Sequence, residues 1–508
     1  VETIDAIREE DVEHALIREI PLSFAKGNLL MPLRREGTSL MAAVADEKGM
    51  LALRELSGHL GLVPLPVSAS AGVIIDAINR FYGQVGSAEE VMDNIHGEDL
   101  SSVATEFEKP KDILELTEEA PIIRLLNAIL QQAVKERASD IHIEPYEKEL
   151  DVRMRVDGIL HRVLAPPKII QDALISRVKI MANLDIAEKR LPQDGRIRLL
   201  IGGSDVDIRV SIIPTSYGER AVLRLLDRRQ GLIGLWEMGL NSHDEALIED
   251  LLTRTNGIVL VTGPTGSGKT TTLYAGLNRI HTEEKNIITI EDPVEYQLKG
   301  IGQIQVNPRI GLTFASGLRS ILRQDPDVIM VGEIRDVDTA EIAIQASLTG
   351  HLVLSTLHTN DAPSAIVRLI DMGIEPFLVS SSLIGVLAQR LVRTVCPHCR
   401  ETYEPSETEQ GYFAGHVPAG TFHLYRGKGC DKCKGAGYLG RTGIFEFLPV
   451  SDEIRQMISE RIDSLSIRNA ALSRGMKTLR ADGFEKAAKG ITTVEEVLRV
   501  TQKDIADI

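Results

Sequence analysis

At 508 residues the chain is too long for one hydrophobic core, so two to four domains are expected. Its 43% hydrophobic and 26% charged residues describe an ordinary globular protein, and only 4% aromatics argue against an antibody-like or carbohydrate-binding all-β protein. With 57 basic against 73 acidic residues, the net charge of −16 gives no overall field to steer the chain to nucleic acid.

No signal-peptide pattern opens the sequence, which starts at Val1 as a truncated chain or one with an unusual start codon would. Residues 1–95 read as a small α/β domain in which helical and short extended patterns alternate, with a turn over Ile20–Lys26 and a helix over Gly72–Phe81. Residues 86–115 are rich in Asp, Glu, Ser and Lys and lack apolar periodicity; within them, 96–115 reads as a linker.

An α+β unit over 116–228 follows. Ala120–Ala138 has the apolar spacing of a helix, and Asp151–Gly158, Asp205–Ser211 and Arg220–Leu226 alternate with the period of strands. Residues 229–240 read as a second linker. From 241 to 508 strands alternate with helices, the pattern of a parallel sheet. Gly257–Thr262, Asn286–Ile290, Asp327–Val331 and His351–Thr356 are its candidate central strands. Pro376–Val392 is the most apolar long stretch, but Ser380, Ser381, Ser382, Gln389 and Arg390 interrupt it. It falls short of the roughly 18 apolar residues of a membrane span, so a cytosolic protein, at most peripheral to a membrane, is expected.

The chemistry starts at Gly263-Pro264-Thr265-Gly266-Ser267-Gly268-Lys269-Thr270, followed by Thr271. An apolar strand precedes this loop and a helical pattern follows it, the context a phosphate-binding loop needs. Its glycines let main-chain N–H groups close around phosphates, Lys269 reaches the phosphate oxygens, and the Thr270 hydroxyl is a Mg²⁺ ligand. Glu291, Asp292 and Glu295 follow the second strand. Glu333 ends the third, where many phosphate-loop proteins carry Asp, leaving direct or water-mediated contact with Mg²⁺ open. His351 and His358 flank the fourth strand as structural histidines or as γ-phosphate sensors.

All four cysteines lie in two CxxC pairs, Cys396/Cys399 and Cys430/Cys433. Two such knuckles complete a closed tetrahedral zinc shell of the structural kind, whereas a redox dithiol needs only one pair. His398 reads as a spacer between ligands.

Together with Glu291–Tyr296, Leu322–Arg335 and the Gly350–Asn360 segment, these motifs resemble the secretion ATPase superfamily. The nearest pattern is the GspE family of type II secretion assembly ATPases, with the type IV pilus-extension ATPases next. The resemblance continues upstream through Ala138–Glu144, Arg153–Gly158 and Arg190–Arg196, and thins before about residue 100. It implies a RecA-like ATPase domain with a tetracysteine zinc insertion over 396–440, a preceding α+β, PAS-like domain, and an amino-terminal domain that docks partners. It further implies that Glu295 is the general base on the attacking water, that Glu333 lies near Mg²⁺, and that His351 and His358 are the histidine-box residues. Arg209 and Arg224, with Arg319, Arg323 and Arg335, match arginines that meet phosphates or neighbouring subunits. The implied protein is a homohexamer using ATP, Mg²⁺ and Zn²⁺ at the cytoplasmic face of the inner membrane, bound there only through platform proteins of the GspL and GspF kinds. A nucleotide-binding scaffold without turnover and a zinc-dependent helicase are the competing classes. The intact loop and acids oppose the first, and the acidic charge opposes the second.

Overall fold

The computed structural model describes residues 22–82, 121–201, 204–227, 234–413 and 423–501, with a few short pieces before residue 22. The chain divides into two units, Val1–Arg229 and Gln230–Ile508. The linker expected over 96–115, and all of the wider 86–115 stretch, lies outside the described residues.

In the first unit, β1 (Glu2–Thr3), β2 (Leu30–Glu36), β3 (Ser39–Val44) and β4 (Val63–Ser68) form a mixed sheet in the order β1-β4-β3-β2. A helix over Glu47–Leu60 is capped by Asp46, whose side chain accepts from the Gly49 N–H. It ends at Gly61, in the left-handed conformation with φ 67°. The turn expected over Ile20–Lys26 is instead a helix over Leu22–Gly27, because Ala25 is drawn fully into the core of this domain.

A second, antiparallel sheet holds β5 (Asp140–Pro145), β6 (Leu150–Val156), β7 (Ile159–Leu164), β8 (Gln193–Ile201), β9 (Ser204–Thr215) and β10 (Gly218–Asp227). Its order is β7-β6-β5-β10-β9-β8. Ile141 and Ile143 of β5 join the apolar core with the helices over Pro121–Lys135 and Gln171–Met181. The alternate residues Asp140, His142 and Glu144 point the other way and meet arginines.

Apart from a two-stranded ribbon of β17 (Arg400–Tyr403) and β18 (Leu424–Gly427), the second unit is built on β11 (Gly257–Thr262), β12 (Ile287–Glu291), β13 (Gly302–Gln305), β14 (Val328–Val331), β15 (Leu352–Leu357), β16 (Leu383–Val395) and β19 (Tyr438–Pro449). They form one sheet in the order β13-β12-β14-β15-β11-β16-β19, parallel except for the antiparallel β16–β19 pair. The central strands β11, β14 and β15 are buried at every position because both faces are covered. Ile258 and Leu260 enter one core with the helices over Val337–Leu348 and Ala362–Asp371, while Val259 and Val261 enter the other with the helices over Lys269–Ile280 and Ser242–Thr253. The stretch Pro376–Val392 divides into a short helix over Pro376–Ser382 and the start of β16. No helix among the described residues is long and apolar enough to cross a membrane.

Of the expected linker 229–240, residues 234–240 are packed rather than free. Leu235, Met238 and Leu240 are buried in the second core, and the Met238 carbonyl accepts from the Gly443 N–H at 2.8 Å.

Glu446 of β19 is 1% exposed and caps two helices, accepting from the N–H of Ala362 at 2.8 Å and of Leu479 at 3.3 Å. Burial, opposed by those N–H bonds, holds its carboxyl up at about 7 against an ordinary 4.5. Between pH 4.5 and 7 the folded chain therefore keeps a proton that the unfolded chain has lost. Stability from this group is complete below 4.5 and is lost as pH rises through 7. We expect the unfolding free energy of this unit to decline by roughly 3 kcal/mol on that account, measured by urea titration at several pH values. Glu446→Gln should flatten this slope, and an unchanged slope would show that another group sets it.

Candidate active site

The glycine loop leaves the carboxyl end of β11, and the helix over Lys269–Ile280 starts from Gly268. In open parallel sheets this edge is where ligands bind. Gly268 has φ 88°, a conformation a side chain would strain. A Cβ on Gly263 would lie 2.5 Å from the Gln389 carbonyl oxygen, so the loop lies directly on β16. Pro264, Thr265 and Gly266 are exposed, Ser267 is buried, and Thr270 and Thr271 are half-buried in the first helical turn.

Lys269 is buried, and its Nζ donates to the carbonyls of Gly263 at 2.8 Å and Pro264 at 3.1 Å. Burial brings its ammonium down to about 8, with Glu333 opposing the fall and Arg390 adding to it. Glu333 follows β14, two strands over and beyond β15. Its carboxylate is paired with Arg335, and His358 Nε2 lies 3.3 Å from its other oxygen. Thr262 and Thr359 share a hydroxyl bond of 2.8 Å, which ties the end of β11 to the segment bearing His358. Glu295, half-buried, lies in the turn after β12, with its backbone N–H bonded to the Tyr274 hydroxyl at 3.3 Å. Thr270 and Glu333 supply the hydroxyl and carboxylate oxygens that suit Mg²⁺, a donor set in keeping with a hard cation.

His351 is elsewhere. It precedes β15, its backbone carbonyl accepts from the Gly257 N–H at the start of β11, and its ring meets the Ala346 carbonyl at 2.9 Å. Six strand residues, about 20 Å of rise, therefore separate it from His358. The two histidines cannot both face one phosphate within this chain, because they lie at opposite ends of β15. Arg209 and Arg224 belong to the other unit, opposite one another across β9 and β10, with Arg224 Nε 3.0 Å from Asp140. A part for them at a nucleotide is what the family resemblance implies. Arg319 and Arg323 are exposed at the end of the helix over Phe314–Ile321, and Arg323 donates to the Arg319 carbonyl.

Two neighbours of the loop are not evident from motif spacing. Gln389 Oε1 accepts from the Thr272 hydroxyl at 2.6 Å, and its buried Nε2 has no hydrogen-bond partner, like the buried Ser267 hydroxyl. Arg390 is 8% exposed and donates to the Gln389 and Asn360 carbonyls. Both are polar residues in the otherwise apolar run Leu383–Val392, and that interruption is the available signal.

The four cysteines gather between β16 and β19. Their sulfurs lie 3.9 Å (Cys396–Cys430), 3.8 Å (Cys399–Cys433) and 3.7 Å (Cys430–Cys433) apart. A tetrahedral zinc with bonds of about 2.3 Å needs sulfurs about 3.8 Å apart, whereas a disulfide needs about 2.0 Å. The residues fit the metal. Although burial opposes it, N–H groups of Cys430 and Gly437 directed at Cys433 Sγ pull that thiol toward the thiolate.

A family model described as "Type II/IV secretion system protein" matches residues 115–499, and one described as "MshEN domain" matches 4–88. Type II secretion system protein E of Pseudomonas aeruginosa is 50% identical over 493 residues, 96% of this chain and 97% of its own. Type II secretion system ATPase E of Vibrio cholerae is 49% identical, covering 97% and 98%. The type IV pilus assembly ATPase PilB of Myxococcus xanthus is 44% identical, covering 98% of this chain and 88% of its own. Among solved structures, the pilus retraction motor PilT with bound ADP aligns over 75% of this chain and 98% of its own, with a TM-score of 0.51 and 26% identity. With a family model spanning most of its length and near full-length relatives at half identity, the chain belongs to the type II/IV secretion system protein family and, within it, to the type II secretion system protein E group.

Proposed function

We propose that this chain hydrolyses ATP to drive pseudopilus assembly and protein export by type II secretion. The observation that carries the reading is the meeting of the glycine loop, Lys269, Glu333 and the Glu295 turn at one edge of a parallel sheet.

Phosphoryl transfer to water asks little covalent chemistry of the protein; positioning and charge neutralisation supply most of the catalysis. Lys269 exchanges its two carbonyl acceptors for phosphate oxygens. A bound anion restores the full charge that burial weakens. Thr270 and Glu333 would hold Mg²⁺, which supplies charge neutralisation at the β- and γ-phosphates. Glu295 orients the attacking water and takes its proton. His358 and Arg335 hold the Glu333 carboxylate in place. Cys396, Cys399, Cys430 and Cys433 would hold a structural Zn²⁺.

The working form is a homohexamer at the cytoplasmic face of the inner membrane, engaged with platform proteins of the GspL and GspF kinds. A pilus-extension role has one observation in its favour, the 44% identical PilB relative, but relatives in type II secretion reach 50% over the same length. Recovery of pilus-specific rather than secretion-specific inner-membrane partners in a pull-down would reverse that order.

Lys269→Ala should reduce phosphate release about 100-fold or more. Glu295→Gln should do the same while retaining affinity for a non-hydrolysable ATP analogue. Wild-type turnover in Lys269→Ala would sink the enzyme reading. Elemental analysis of the full chain should find about one zinc per chain. Cys430→Ser should lose the metal and open 396–440 to proteolysis; a metal-free chain that resists proteolysis there would refute a structural zinc.

A further inference from the structure

Below the turn that carries Glu295 lies a buried polar network that makes none of the phosphate contacts assigned above. Tyr274, in the second turn of the helix that follows the glycine loop, has no exposed surface. Its hydroxyl donates to the Glu291 carboxylate at the end of β12. The same oxygen accepts from the Glu295 backbone N–H and from Gln303 Nε2, both at 3.3 Å. Its one donor and two acceptor positions are therefore all used.

Glu291 is 2% exposed, and its other oxygen accepts from the Thr289 hydroxyl at 2.5 Å and Gln303 Nε2 at 3.1 Å. Gln303, on β13, holds the far side of the turn: its Oε1 accepts from the Leu298 N–H at 2.7 Å, and its amide donates to the Tyr296 carbonyl at 3.2 Å. The Tyr296 ring packs edge-on against Tyr274, with centroids 4.6 Å apart.

A buried acid with a tyrosine is a poor choice for stability alone, since apolar residues of similar volume commonly serve as well or better. What the network supplies is geometry. It joins the backbone of Glu295 to the helix whose first turn bears Lys269 and Thr270. Displacing a reacting group by about 1 Å can cost about 100-fold in rate, so such a brace acts on turnover before it acts on binding.

We propose that Tyr274 and Glu291 are positioning residues for hydrolysis, fixing Glu295 against the phosphate-binding helix with Gln303 as the cross-tie. The proposal rests on reading Glu295 as the general base.

The test is the steady-state ATPase rate of the full chain carrying Tyr274→Phe, which removes one oxygen and keeps the ring. We expect kcat to drop about tenfold, with KM and the affinity for a non-hydrolysable ATP analogue within about twofold of wild type. In a Glu295→Gln background the same substitution should leave the residual rate unchanged, because the group being positioned is gone. Glu291→Gln and Gln303→Ala should act in the same direction, and either carries the test should Tyr274→Phe fail to fold. A wild-type kcat in these variants overturns the proposal. An equal further loss in the Glu295→Gln background also overturns it, since that marks a general packing defect. Wild-type turnover in Glu295→Gln itself removes the base assignment, and the proposal with it. Loss in Glu295→Gln without loss in Tyr274→Phe leaves the base standing and rejects the brace alone.

Discussion

Binding a phosphate with main-chain N–H groups leaves a loop few side chains of its own to fill the space beneath it. The loop here has three glycines in six residues, and backbone of that kind keeps its shape only against something rigid. In this chain the support is β16, so close that a Cβ on Gly263 would lie only 2.5 Å from the Gln389 carbonyl oxygen. Much else follows from that contact. β16 has to lie next to β11, the sheet has to be covered on both faces, and polar residues have to interrupt the apolar run Leu383–Val392.

Charge follows the same logic. Lys269 and Arg390 bring two buried cations to one loop; Lys269 donates to two backbone carbonyls, and Arg390 to the carbonyls of Gln389 and Asn360 and to the Asn360 side-chain oxygen. Both are held below their ordinary values by burial; Arg390 adds to the fall at Lys269, while Glu446 and Asp361 oppose the fall at Arg390. Such an arrangement is well suited to an anion, which relieves both at once. Glu333, braced by Arg335 and His358, supplies the compensating negative charge from the end of β14.

The features legible in the sequence were those encoded by short-range spacing. The glycine loop, the apolar runs at Gly257–Thr262 and Asp327–Val331, and the paired cysteines depend on neighbours a few residues apart. β16 is not evident in the sequence, because a continuous apolar run does not by itself distinguish a buried strand from a buried helix, and this one contains both. The separation of His351 from His358 needed strand direction, which spacing alone does not convey. The network of Tyr274, Glu291 and Gln303 joins one helix to two strands, so no local pattern announces it.

The cysteine lobe leaves the sheet at the end of β16 and returns at the start of β19, and these two strands are hydrogen-bonded neighbours with Val395 opposite Tyr438. Topologically it is an enlarged hairpin loop. The entropy of closing such a loop grows slowly, by about 0.6 kcal/mol per doubling of length, so the two strands can pair with a long excursion almost as readily as with a short one. Strand pairing therefore does not set the length of the lobe; what ties it down is Phe413 and Leu424, packed on Phe484 of the helix over Leu479–Ala488.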